Sequence, residues 1–273
     1  MLVLVYLAHV AVVVLGAASI VWLVSLVVRD TSIVDVFWGF GFALVGATGL
    51  WMAWPPTAYQ WLLGLLPILW GMRLTLYLAR RNLRLLGGHG EDGRYVAMRK
   101  RSGLSEMAWR LRAGLTVYAG QALLILIVAA PVWVAFATGK QTSIGLLSVL
   151  GLLLWGVGVM FEAVGDAQLT RFKRAQAGYD GPYEDKPVLD TGLWAWTRHP
   201  NYFGNAVLWW GIWLVACEAP WGWAGVAGPI VMTALLTRVS GRDLLERRLM
   251  KRPAYRDYAA RVPSFIPRPP RRG

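Results

Sequence analysis

The sequence has one cysteine and three histidines in 273 residues. Cys217 alone can form neither a disulfide framework nor a thiolate metal site, so no metal centre is expected. Acidic residues are scarce, 15 against 28 lysines and arginines, which leaves a formal net charge of +13. No nucleic-acid-reading motif accompanies that excess, and no nucleic-acid partner is expected. Internal repeats, inverted symmetry and low-complexity tracts are lacking, which counts against a transporter. The opening run, Met1 to Val28, has no lysine or arginine ahead of it and no small-x-small cleavage site. It is expected to be a retained helix and not a secretory signal.

What the chain has in plenty is apolar sequence, 56% of residues, with a mean hydropathy of +0.46. That is more than an ordinary soluble domain carries. Seven apolar segments stand out, at about 2–28, 33–54, 59–79, 115–137, 143–165, 202–219 and 223–240. Crossing about 30 Å of hydrocarbon takes roughly 20 such residues. The expectation is an all-α polytopic membrane protein with about seven spans. It forms one membrane domain over 1–273, with a basic tail at 241–273.

Charge position orients it. Of the 28 basic residues, 25 fall in segments 80–113, 166–200 and 238–273, each following an apolar run. This is the positive-inside pattern, and it predicts an inner or plasma membrane protein with its N-terminus outside and C-terminus cytoplasmic. Many of the sixteen tryptophans, Trp51, Trp54, Trp61, Trp221 and Trp223 among them, read as an interfacial belt.

Ionisable groups at membrane depth cost a few kcal/mol each and so need a reason. Asp35 opens the second segment, and Glu162 and Asp166 close the fifth, one turn apart. In the third segment Arg73, Tyr77, Arg81 and Arg84 are spaced four, four and three, which sets them on one helical face. Interhelical ion pairing and a site for a polyanion both fit that stripe, since guanidinium groups bind phosphates bidentately. The glycine-rich stretch Gly87 to Tyr95 follows a membrane helix and not a strand, so neither a dinucleotide fingerprint nor a P-loop is supported.

The densest cluster of polar residues runs from Gly192 to Asn205. Pro200 suits the first turn of a helix, where its missing N–H costs nothing. Arg198 and His199 then flank the positive end of the sixth segment, with Asn201, Tyr202 and Asn205 in its first turns. A helix start so flanked favours an anion.

The run Arg198-His199-Pro200-Asn201-Tyr202-Phe203-Gly204 resembles the signature of bacterial proteins that share the steroid 5-alpha-reductase C-terminal domain. Phe161 to Asp166 and the ending Ser264-Phe265-Ile266-Pro267 resemble it too. The branch that also shows Asp35-Val36-Phe37-Trp38-Gly39, Gly90-Glu91-Asp92 and Arg94-Tyr95 is the domain-of-unknown-function 1295 family. The resemblance runs from about residue 31 to 270.

That resemblance implies a seven-span fold with a cytoplasm-facing nicotinamide cofactor, NADPH, and hydride delivery to a carbon–carbon double bond of a lipid drawn from the bilayer. Arg73, Arg81 and Arg84 match a cofactor-facing stripe, and Asp166 with Lys173 resembles a carboxylate–cation pair. Asn201 matches an amide that faces the nicotinamide. Arg198, His199, Tyr202 and Asn205 complete the expected cofactor set.

Steroid reductases polarise their substrate with a second-span glutamate and a third-span tyrosine. Here the third-span position holds Trp70, which has only an indole N–H, and a helix glutamate near the nicotinamide is replaced by Asn205. By the same resemblance Asp35 corresponds to the second-span acid, with Tyr77 the other catalytic candidate and Tyr95 and Glu91 as further donors. A steroid itself is not favoured as substrate.

Two other classes remain. Arg-His-Pro-x-Tyr is shared with the isoprenylcysteine carboxyl methyltransferases, which use S-adenosylmethionine. Their paired C-terminal glutamates correspond here to Leu244-Leu245-Glu246-Arg247-Arg248, whose charge suits a phosphate-rich ligand better than a sulfonium. The third class is a non-enzymatic membrane protein.

Overall fold

The computed structural model describes residues 2–82, 91–139, 141–239 and 242–270. Arg84 and the glycines at 87, 88 and 90 lie outside the described residues. Among the described residues all regular structure is helical, as the sequence predicts. In chain order the α-helices are α1 (Leu2–Val28), α2 (Ile33–Met52), α3 (Ala58–Asn82), α4 (Gly93–Ser102), α5 (Glu106–Ala113) and α6 (Gly120–Val128). They continue with α7 (Ala130–Thr138), α8 (Leu146–Ala175), α9 (Pro200–Ala216), α10 (Ala227–Ala234), α11 (Arg242–Leu249) and α12 (Pro253–Arg261).

Among the described residues, five helical stretches are long and apolar enough to cross a membrane. They are α1, α2, α3, the continuous run Glu106–Val128, and α8. The count of seven is not confirmed. Helix α9 stops at 17 residues, and α10 has only 8 before it passes into the π-helix Leu235–Val239. The apolar run at 115–137 is broken at Ala129, after which Pro131 sits in the first turn of α7. The run Glu106–Val128 itself joins α5 to α6 through a π-helical segment, Gly114–Ala119.

The described chain packs as two compact units, Met1–Ser148 with Ile212–Gly228, and Val149–Gly211 with Pro229–Gly273. In the first unit α2 is the central helix, with 67% of its most apolar window buried against 22% for α1. The buried residues of α1, Tyr6, Val10, Val14 and Ala18, recur every four positions. Leu4, Val12, Ile20 and Val27 are left exposed along it. An apolar surface of that extent needs a hydrocarbon solvent, so α1 is a lipid-facing helix.

Glycine permits close helix contacts in each unit. A Cβ on Gly39 would lie 2.5 Å from the Gly71 carbonyl oxygen, and one on Gly46 would lie 2.4 Å from that of Gly64. These glycines are seven apart on both α2 and α3, so two turns of the antiparallel pair meet backbone to backbone. In the second unit α8 and α9 repeat the arrangement. A Cβ on Gly204 would fall 2.4 Å from the Gly158 carbonyl oxygen, and one on Gly211 would fall 2.6 Å from that of Gly151. Without a hydrophobic drive between helices in lipid, such close approach supplies packing and short-range contacts instead.

Candidate functional site

Each unit carries its own cluster of interacting polar groups. In the first unit the cluster gathers around Asp35, in the first turn of α2. Arg94 donates from Nη2 to Asp35 Oδ2 at 2.6 Å, and the Tyr95 hydroxyl donates to Oδ1 at 2.7 Å. Asp92 caps the start of α4, accepting from the Arg94 backbone N–H at 2.8 Å and from Arg94 Nε at 3.1 Å. Glu91 accepts from the Thr31 N–H at 3.1 Å and pairs with Arg99 at 2.9 Å. Three sequence stretches singled out separately, Asp35 to Gly39, Glu91-Asp92 and Arg94-Tyr95, thus form one network that ties α4 to the start of α2. Burial, followed by the negative charge of Asp35, pushes the Tyr95 phenol up from its ordinary range.

The α3 stripe is present as a stacked ladder. Arg73 lies over the Tyr77 ring with Cζ 5.4 Å from its centroid, and Arg81 lies over the same ring at 5.9 Å. A guanidinium within about 6 Å of a ring is attracted by its quadrupole, so Tyr77 helps hold both cations on one face. Trp70 is buried one turn earlier, with its ring 5.4 Å from that of Phe42. It belongs to the α2–α3 core.

In the second unit the stretch from Gly192 to His199 is held on both sides. Gly192 has φ of +61°, and a Cβ there would fall 2.3 Å from the Gln168 side chain, so both backbone and space call for glycine. Gln168 accepts from the Leu193 N–H at 3.1 Å, and the Trp194 indole donates to the Gly165 carbonyl at 3.1 Å. From the other side Tyr258 donates to the Trp194 carbonyl at 2.6 Å, and Thr197 donates to that of Phe265 at 2.9 Å. The Ser264 to Pro267 ending and the Arg-His-Pro motif are therefore parts of one structure.

Arg198 is almost entirely committed to protein partners. Its Nε and Nη2 donate to Glu246 Oε1 and Oε2 at 2.8 and 3.0 Å, and its Nη1 donates to the Ala259 and Val262 carbonyls at 2.9 and 2.7 Å. His199 Nε2 lies 2.9 Å from Glu246 Oε1. Although burial alone would raise it, the Glu246 carboxyl is held at about 2 by the hydrogen bonds from His199 and Arg198. The carboxylate can only accept, so His199 carries its proton on Nε2. Burial also pushes the His199 ring below its ordinary value, so it is neutral at pH 7. The Tyr202 ring stacks on it, with centroids 5.3 Å apart and planes 6° apart.

Beyond this clamp, Asn201 donates to Asp166 Oδ1 at 3.1 Å, joining α9 to α8. Glu162 and Asp166 are both buried, whereas Lys173 is exposed near the end of α8. Asn205 is only 8% exposed, and its Oδ1 has no hydrogen-bond partner among the described residues. Such a buried acceptor is rare in a folded chain unless something else supplies the donor.

Sequence reasoning met Glu246 only in the comparison with the methyltransferases and did not pair it with Arg198 and His199, and it did not single out Gln168 or Tyr258. Arg247 and Arg248 beside Glu246 make α11 look like a solvated helix. The available signal was indirect, since a buried Arg-His pair at the start of a membrane helix needs a carboxylate somewhere.

The family described as protein of unknown function (DUF1295) matches residues 21–262, beginning ten residues before the resemblance read from the motifs and stopping short of Ser264 to Pro267. An uncharacterized protein of Schizosaccharomyces pombe is 24% identical over 287 aligned positions, covering 92% of this chain and 76% of the yeast protein. No solved structure matches.

Proposed function

We propose that the chain, which belongs to the DUF1295 family, is a membrane-embedded reductase that uses NADPH to saturate a carbon–carbon double bond of a lipid. The observation that carries this reading is Asn205, whose buried side-chain oxygen lacks a donor among the described residues. It stands one turn from Asn201 on α9, beside the Asn201–Asp166 hydrogen bond. An amide edge of this kind suits a ligand with a carboxamide, which offers an N–H₂ donor and a carbonyl acceptor. When bound, the dihydronicotinamide would supply the hydride, and one proton completes the reduction.

The residues of the second unit divide the binding work. Asn205 accepts from the carboxamide, while Asp166 holds the Asn201 side chain in a fixed orientation. Arg198 and Glu246 keep the start of α9 against the C-terminal segment. Arg198 has spent its donors on that clamp, so it positions the site and does not hold phosphate. Lys173, exposed on α8, is the cation assigned to a phosphate charge. In the first unit, Asp35 is assigned the proton-delivering role as a relay, its carboxylate accepting from the Tyr95 hydroxyl that would hand the proton on, with Tyr77 as the second candidate.

The test is ligand-induced stabilisation of the purified chain. NADPH should raise the melting temperature, and S-adenosylmethionine should not. Stabilisation by S-adenosylmethionine alone would replace this reading with methyl transfer.

A further inference from the structure

The first unit contains a second feature, separate from the residues assigned to the reductase. A cavity of about 480 Å³ opens between α4 and the run Glu106–Val128, lined by Met98, Arg101, Ser102, Trp109, Arg112 and Thr116. Its hydroxyls are already committed. Ser102 donates to the Arg99 carbonyl at 2.7 Å, and Thr116 donates to that of Arg112 at 3.1 Å. Its cations are uncommitted. Neither the Arg101 nor the Arg112 guanidinium makes an ion pair or side-chain hydrogen bond among the described residues, although Arg94, Arg99 and Arg110 nearby each do.

Trp109 adds an independent observation. It is 4% exposed, and its Nε1–H has no acceptor among the described residues. A buried donor left unpaired is costly, so an acceptor from outside the chain is the natural complement. Two guanidiniums and an indole N–H together call for an anion with several acceptor oxygens, and phosphate is the commonest such group.

The surroundings decide what carries the phosphate. Beside the cavity, Leu111, Leu115 and Leu123 follow one another along Glu106–Val128, exposed by 52%, 79% and 57%. Met107 is exposed at the same end of that span. A charged pocket at the end of a span, continued by a bare apolar face, matches the two halves of a phospholipid. Free phosphate would use only the first half.

We propose that this cavity binds the headgroup of an anionic phospholipid, with its acyl chains lying along the exposed leucines of Glu106–Val128. The site is a structural lipid site on the first unit, and it does not depend on the reductase reading.

The experiment measures binding of phosphatidylglycerol, phosphatidylcholine and inorganic phosphate to the full chain in an uncharged detergent, by thermal shift and by native mass spectrometry. Phosphatidylglycerol should stabilise the chain and remain attached, while the other two should not. With each basic group contributing about fivefold near an anionic headgroup, R101Q/R112Q should bind phosphatidylglycerol about thirtyfold more weakly. The same variant should fold with an unaltered melting temperature in lipid-free detergent. Trp109→Phe, which keeps the ring and removes only the N–H, should weaken binding by itself. R247Q/R256Q, which removes the same charge from exposed positions elsewhere, should have no effect. Equal weakening in that control, or undiminished binding in R101Q/R112Q, would overturn the proposal. An equal response to inorganic phosphate would overturn the lipid assignment.

Discussion

Glu246 and Arg198 are joined by a two-point contact across 48 residues of sequence, with Nε to Oε1 at 2.8 Å and Nη2 to Oε2 at 3.0 Å. His199 completes it, 2.9 Å from the same Oε1. The motif at the start of α9 is therefore built to receive α11, and the two stand or fall together. Removing one partner from a buried pair typically costs about 3–5 kcal/mol. Glu246→Ala should accordingly lower the melting temperature by several degrees, as read by a dye-based thermal scan.

The same cluster sets a pH dependence. His199 has a folded value below the ordinary value of about 6.5, so the unfolded chain binds a proton more readily as pH falls past that point. Stability is then full above about 6.5 and declines below it. Glu246, held at about 2, adds a second loss that begins near the ordinary glutamate value of about 4.3 and continues downward. The melting temperature should fall in two stages between about pH 7.5 and about pH 2. His199→Gln should flatten the first stage and leave the second, and an unchanged first stage would place the proton uptake elsewhere.

Asn205→Leu separates a ligand-directed group from a structural one. The buried Oδ1 makes no hydrogen bond among the described residues, so replacing the amide with leucine should leave the resting stability unchanged or raise it by about 1 kcal/mol, with the melting temperature unchanged or higher. The NADPH-induced shift should disappear. A variant that keeps the full shift would remove Asn205 from the site.

Asp35→Asn addresses the first unit. The amide retains an oxygen for one of the two donors, Arg94 or Tyr95, and loses the charge that holds both. NADPH stabilisation should persist, while turnover should fall by about 10²–10⁴, the range of a lost general acid. Full turnover would move the proton donor to Tyr77, Tyr95 or Glu91, each then tested by Phe or Gln replacement.

Two glycines on α8 test the packing. A Cβ on Gly158 would lie 2.5 Å from the Leu208 backbone nitrogen, which cannot give way cheaply, whereas one on Gly156 would meet nothing within 4 Å. Gly158→Ala should reduce thermal stability and protein yield. Gly156→Ala should be neutral or stabilising by about 0.5–1 kcal/mol, through helix propensity alone.

The helical fold with membrane-length helices was legible because apolar runs of about 20 residues leave a strong one-dimensional signal. The span count was not, because run length does not show where a helix stops. Ala129 divides one apolar run, and α10 turns into a π-helix after 8 residues. The α3 stripe was legible since Arg73, Tyr77 and Arg81 lie within one helix and share its period. Asp35, Glu91 and Arg94 were each visible as motifs, but their association is a tertiary fact about α4 folding back on α2. The pairing of Glu246 was hidden for the same reason, its partners lying 47 and 48 positions away. The role of Arg198 changed most in three dimensions. In sequence it is a cation at a helix start, and in the structure it is a clamp with four committed bonds.

The most direct test of the central claim is the melting temperature of the full chain in mild detergent with NADPH, NADH, S-adenosylmethionine or S-adenosylhomocysteine. A ligand at 100 times its dissociation constant adds about 2.7 kcal/mol if it binds only the folded state. The reductase account predicts a clear rise with NADPH, none with the methyl donor or its product, and loss of the NADPH response in Asn205→Leu. A rise with S-adenosylmethionine alone, or no response to any of the four, would contradict it.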